Sequence, residues 1–166
     1  MNMTKPEISM RLDIGQDFVF LDTFKLEHNI GFKTDVLAIN RSPLAVGGSA
    51  TITFDIDDTR LKAHFLSKRV VPGTLILESI LQTMAMSIYT TFKSPPMTHS
   101  MVVSVNMNLT QSLSPGVFCN VFSKIDLERG GVITGEGRLT SDAGTICTAS
   151  LKYFSSELFP KVKSQK

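Results

Sequence analysis

Cysteine is scarce in this chain: Cys119 and Cys147 are the only two among 166 residues, each inside a β-rich run. Without a dense cysteine framework a disulfide scaffold is excluded, and free buried thiols in a reduced compartment are expected. Long apolar runs are missing too, for no stretch approaches the roughly 18 apolar residues that a membrane span requires. Met1 to Asp13 holds no continuous apolar core of the kind a secretory signal carries, so a cytoplasmic location is the default expectation. A strong charge of either sign is also absent. The net charge of +2 is too small to argue for nucleic acid or a membrane surface from bulk electrostatics. No Cys/His spacing suggests a metal, no glycine-rich loop suggests a nucleotide, and there is no internal repeat or low-complexity segment. The basic residues at the C-terminus, Lys161, Lys163 and Lys166, read as a solvated tail.

What is present is enough for one domain with a real core. Hydrophobic residues make up 42% and charged residues 19%, an ordinary to slightly apolar balance. Apolar alternation and β-branched residues predict strands at about 18–26, 32–40 and 50–57, with Gly47-Gly48-Ser49 as a turn before the last of these. Four more strands are expected at 101–109, 117–127, 132–140 and 145–153. They are separated by Ser114-Pro115-Gly116, Arg129-Gly130-Gly131 and Ser141-Asp142-Ala143-Gly144, the last closing a hairpin. One segment differs. From Thr74 to Lys93 there is no Gly or Pro, and apolar residues occupy nearly every side. Pro72-Gly73 precedes this segment and Ser94-Pro95-Pro96 ends it, as helix boundaries should. A helix apolar on most faces has to be buried. The expectation for residues 1–166 is therefore one α+β domain of hotdog type, a long central helix over 74–92 wrapped by an antiparallel sheet. Residues 1–12 and 158–166 are expected as terminal tails.

Two ionisable residues bracket the start of that helix. His64 falls in a loop-like segment, and Glu78 lies about one turn into the helix amid Leu75, Ile76, Leu77, Ile80 and Leu81. A carboxylate in such company is exposed at a helix start, paired, or kept for chemistry. By itself Glu78 reads equally as a first-turn glutamate favoured by the helix dipole. A lone His64 is more often structural than catalytic.

Together the residues resemble something more specific. His64-Phe65, Val70-Val71-Pro72-Gly73 and Leu75-Ile76-Leu77-Glu78 are similar, in register and in interval, to the active-site signature of the 3-hydroxyacyl-[acyl-carrier-protein] dehydratases. Gln82 matches the Gln that follows the family's acid by one helical turn. More weakly, Phe18-Val19-Phe20-Leu21-Asp22 resembles the family's first strand, and Ser114-Pro115-Gly116 its later Val-Pro-Gly turn. The chain departs from the pattern as well. Leu66 and Arg69 stand where the family has prolines, the Pro-His-Arg tripeptide before the first strand is missing, and His28 to Ser49 is longer than the usual connection. Losing two prolines should loosen the loop carrying His64, so a divergent member with a specialised acyl chain is expected.

The resemblance implies a lyase that dehydrates 3-hydroxyacyl thioesters. His64, with an ordinary pKa of about 6.5, suits exchange of the α-proton. Glu78, its neutral form favoured by apolar neighbours, suits protonating or orienting the departing hydroxyl. Gly73 would present a helix-start amide to the thioester oxygen as charge develops there, without a Cβ in the way. Phe65, Val71, Pro72 and Gln82 would contact substrate. No cofactor or metal is expected, since the substrate brings its own phosphopantetheine, on an acyl carrier protein or on coenzyme A. Arg60, Lys62, Lys68 and Arg69 read equally as solvated surface or as a docking rim for an acidic carrier protein. The resemblance also implies a homodimer, or a higher oligomer built from dimers, with His and acid from different subunits.

Other readings stay open. A hotdog thioesterase would use Glu78 to activate water and has little need of His64. A non-catalytic acyl-binding dimer is favoured slightly by the missing prolines. Isomerisation to a cis-3-enoyl product uses the same residue types. Met84 and Met86 read more readily as core packing than as an acyl tunnel, and His28 and His99 receive no role.

Overall fold

The structure, a computed structural model, describes residues 2–12, 15, 19–28, 46–58, 61, 70–92, 100–129 and 132–155. In chain order the elements are β1 (Asn2–Thr4), α1 (Lys5–Leu12), β2 (Thr23–His28), β3 (Val46–Thr53), α2 (Gly73–Phe92), β4 (Ser100–Leu109), β5 (Phe118–Arg129), β6 (Val132–Ser141) and β7 (Gly144–Ser155). The strands form one sheet in the order β1-β2-β3-β5-β6-β7-β4, with every neighbouring pair antiparallel.

Alternation decides which side of the sheet is covered. Along β6, Ile133, Gly135, Gly137 and Leu139 are buried, while Glu136 between them is exposed. That period of two turns one face toward α2 and the other toward solvent. α2 packs on β3, β5 and β6, and Ile76, Ser79, Ile80 and every residue from Gln82 to Tyr89 are buried. Its hydroxyls bond back to the helix: Ser79 to the Ile76 carbonyl at 2.7 Å, Thr83 to Ser79 at 2.8 Å, and Ser87 to Thr83 at 2.8 Å. Ser87 also meets the Ser123 hydroxyl of β5 at 2.7 Å. The buried hydroxyls of Ser79, Thr83 and Ser87 are thereby partnered, as a dry interior requires. This is the hotdog arrangement that the helix and strand pattern predicts. Among the described residues no helix is long and apolar enough to cross a membrane.

The late strands and the β6–β7 hairpin follow the sequence pattern closely, and Cys119 and Cys147 are free and buried. Three expectations are corrected. The first twelve residues are not a tail. They form β1 and α1, with Met3, Ile8 and Leu12 in the core. Thr4-Lys5-Pro6-Glu7 carries the signal: the Glu7 carboxylate accepts from Thr4 N–H at 2.7 Å and from its hydroxyl at 2.8 Å. The Thr-x-x-Glu spacing with an early Pro marks a helix start.

Gly47-Gly48-Ser49 is no turn but part of the first half of β3, paired with β2 and β5. A β-carbon at Gly48 would overlap the Phe24 ring and stand 2.6 Å from the Ser87 hydroxyl. The glycine is there for close approach of α2, not for chain reversal.

The strand expected over 18–26 begins only at Thr23, because the Phe20 amide is bound by a side chain of α2 instead of a neighbouring strand. Similarly, β3 stops at Thr53, where the Asp55 carboxylate accepts from Asp57 N–H at 2.9 Å in a local turn. The strand expected over 32–40 and the C-terminal tail lie outside the described residues.

Candidate active site

Val71 and Pro72 approach α2 as buried residues. Val71 N–H donates to the Leu113 carbonyl at 2.8 Å, which fastens this segment beside the sheet. The Pro72 carbonyl accepts from Leu75 at 3.0 Å and from Ile76 at 3.2 Å, so the helix starts at Gly73. The Gly73 and Thr74 amides therefore fall among the helix-start groups that lack an acceptor inside the helix. Beside Gly73 stand two side chains of β4: a β-carbon placed there would be 3.5 Å from Met107 Cε and 3.9 Å from Leu109 Cδ2.

Glu78 lies in the second turn, and the first turn of α2 holds no acidic residue. The reading of a carboxylate kept by the helix dipole therefore loses its geometry, since that effect fades beyond the first turn. The side chain is half-buried. Burial pushes its pKa above the ordinary glutamate range, and a hydrogen bond from Gln82 opposes that rise in part. Gln82 Nε2 donates to Glu78 Oε1 at 3.0 Å, and Gln82 Oε1 accepts from Phe20 N–H at 2.9 Å. Glu78, Gln82, Ala85 and Tyr89 recur at helical spacing along one stripe of α2. At its far end the Tyr89 and Tyr153 hydroxyls meet at 3.2 Å. The Tyr153 pKa is driven far up, mainly by burial and then by Tyr89, with a smaller push from the Glu78 charge.

The structure thus places Val71, Pro72 and Gly73 at the start of α2, Glu78 in its second turn and Gln82 one turn further on, bonded to Glu78. His64, Phe65, Arg60, Lys62, Lys68 and Arg69 lie outside the described residues. Phe20, Met107 and Leu109 belong to this region without having been singled out in the sequence. Phe20 acts through its backbone, which no residue pattern reveals. Met107 and Leu109 carried a weak signal, as apolar positions on the helix-facing side of β4. Met84 packs onto Gly135 and is wholly buried with Met86, so both are core residues.

A family model described as a FabA-like domain matches residues 45–150, from β3 through most of β7. The chain belongs to the FabA-like family. This is a family of hotdog-fold dehydratases, and the low identities to solved structures mark the chain as a divergent member. Among those structures, the dehydratase heterocomplex ApeI:P from Xenorhabdus doucetiae is 14% identical with a TM-score of 0.63. That match covers 89% of this chain and 90% of that one. A hot-dog-like protein from Thermanaerovibrio acidaminovorans is also 14% identical, with a TM-score of 0.55, covering 66% of this chain and 82% of that one. A candidate thioesterase related to phenylacetic acid degradation, from Ralstonia eutropha, is 13% identical with a TM-score of 0.53, over 66% of this chain and 76% of that one. At such identities the likeness shows the hotdog fold. No curated protein matches the sequence. In this FabA-like chain, β1, α1 and the Phe20 segment lie before the matched residues.

Proposed function

We propose that this chain dehydrates 3-hydroxyacyl thioesters carried on an acyl carrier protein, yielding trans-2-enoyl thioesters and water. The observation that carries the reading is Glu78: a half-buried carboxyl near the helix start, its neutral form favoured and one oxygen held by Gln82. A carboxyl group whose neutral form is favoured is suited to giving its proton to a leaving hydroxyl. In the proposed step His64 removes the α-proton, and the electron pair left on the α-carbon becomes enolate-like charge on the thioester oxygen. The Gly73 amide, at the positive end of α2, stabilises that oxygen. The Cα–Cβ double bond then forms as the Cβ–O bond breaks, and Glu78 protonates the departing hydroxyl to water. Proton return from His64 to Glu78 resets the site. The phosphopantetheine arm comes with the substrate, and no resident cofactor is required.

The proposal includes a second copy of the chain at β4, which among the described residues is an edge strand paired only with β7. Val102, Val105 and Leu109 share a face with the buried Tyr153, Leu151 and Cys147 opposite them, yet remain 38%, 36% and 46% exposed. An apolar edge left open in this way invites strand pairing. Since Met107 and Leu109 flank Gly73, a partner seated there would complete the site.

Mass spectrometry after incubation with 3-hydroxyacyl thioesters of graded length, on carrier protein and on coenzyme A, tests the reaction. Loss of water supports dehydration. Release of the free acid would replace the reading with thioester hydrolysis, to which the thioesterase-like neighbours correspond in fold. No change on any substrate would remove the enzymatic reading.

A further inference from the structure

Both ends of the Gln82 carboxamide are committed inside the protein. Its oxygen accepts from the Phe20 N–H at 2.9 Å, and its nitrogen donates to Glu78 Oε1 at 3.0 Å. The two ends of a carboxamide have nearly the same shape, and only their partners decide which is donor and which acceptor. A backbone N–H can only donate. Phe20 therefore turns the Gln82 oxygen toward itself and the nitrogen toward the acid. Phe20 is itself held: Val19 and Leu21 are fully buried, the Phe20 and Phe54 rings lie 6.2 Å apart, and Asp22 N–H donates to the Thr51 carbonyl at 2.8 Å. Residues 19–21 stand outside the stretch that the FabA-like model matches.

We infer that residues 19–21 are a positioning element of the acid site, in which the Phe20 amide sets the Gln82 carboxamide and Gln82 sets Glu78. This rests on the reading of Glu78 as the acid that protonates the leaving hydroxyl. Glu78 Oε1 is engaged by Gln82, so the transferable proton belongs on Oε2, and the carboxyl presents one defined oxygen to the substrate. A loose carboxyl would spend much of its time in other rotamers. Among the described residues, the titratable and charged groups around this stripe are Tyr89 on α2, Tyr153 on β7 and Arg11 on α1, whose guanidinium binds the Tyr89 carbonyl at 2.7 Å. They are the same in every variant proposed below.

The test follows the Glu78 titration by carbon-13 NMR of its side-chain carboxyl, together with kcat against pH. Gln82→Met removes the donor, so the Glu78 midpoint should move up. Gln82→Glu keeps an acceptor for Phe20 but loses the donor and adds a like charge, so the midpoint should move up further. An ester in place of the Phe20 peptide bond, introduced with the α-hydroxy analogue of phenylalanine, replaces the N–H by an oxygen and leaves every side chain unchanged. It should move the midpoint in the same direction by less, with the melting temperature nearly kept. In all three, kcat should fall by about 10- to 100-fold, the usual scale for a misplaced catalytic group. An unmoved Glu78 midpoint in folded Gln82 variants would overturn the inference. A midpoint that responds to Gln82 but ignores the ester would overturn the role of residues 19–21. The titration needs no turnover, so a protein without dehydratase activity that still shows these shifts refutes the proposed reaction and leaves the positioning intact.

Discussion

Gly137 of β6 lies directly beneath Ile80 of α2, so close that a β-carbon on the glycine would overlap the isoleucine Cγ2. Gly135, one pleat away, stands in the same relation to Met84, and Gly48 of β3 to Ser87 and Phe24. The helix sinks onto the sheet through three positions without side chains.

Gly137→Ala should therefore destabilise the fold by about 1–3 kcal/mol, the usual cost of overpacking a core. Ile80→Ala alone should cost about 2–5 kcal/mol. Because it removes the atom in conflict, the double variant should lose less than the two single losses together. A urea double-mutant cycle measures the coupling, and simple additivity would contradict the contact.

Glu78→Gln should stabilise the protein at neutral pH. The folded-state pKa of Glu78 is raised above its ordinary 4.5 by burial. The folded chain therefore holds a proton that the unfolded chain has lost, and wild-type stability falls as pH rises from 4.5 through the folded pKa. Glutamine carries no such penalty. Thermal melts should show a gain at pH 8 that shrinks below pH 4.5. An equal gain at both would point to packing instead of ionisation.

His64→Ala and Glu78→Ala should each lower dehydration by at least about 100-fold, the scale for loss of a placed acid or base. Circular dichroism should show both folded. If Glu78→Gln abolished turnover while His64→Ala left it nearly intact, thioester hydrolysis would become the better reading. Mixing the two inactive alanine proteins should restore activity on subunit exchange, because a heterodimer regains one wild-type site. Exchange without recovery would disprove a site shared between copies.

Light scattering at micromolar concentration should give at least twice the single-chain mass. Val105→Asp, which places a charge on the open β4 edge, should shift the protein toward monomer and lower kcat with it. A dimer indifferent to Val105→Asp would place the interface elsewhere.

Cys119 and Cys147 should resist alkylation in the native protein at pH 8. Both are fully buried, and burial pushes each thiol up to about 11. Little thiolate is then present, and the thiolate is the nucleophile. Rapid labelling without unfolding would show that the sheet opens locally.

The residues alone determined the central helix and the late strands. Both are local in origin: a Pro-Gly start and an unbroken apolar run make one, and alternation punctuated by turn residues makes the others. The Thr4-x-x-Glu7 capping signal was equally local and legible, although that stretch was expected as a tail. The motif from His64 to Glu78 could be read because its spacing is a property of the chain. Tertiary structure decided the rest. Gly48 looks like a turn until α2 is laid over it, since a glycine needed for close approach and one needed for reversal are identical in sequence. Phe20 looks like the core of a strand until its amide meets Gln82, 62 positions away. The protonation of Glu78 likewise depends on what covers it. Burial and hydrogen bonds between distant segments are set by packing, and packing is not written at any one position.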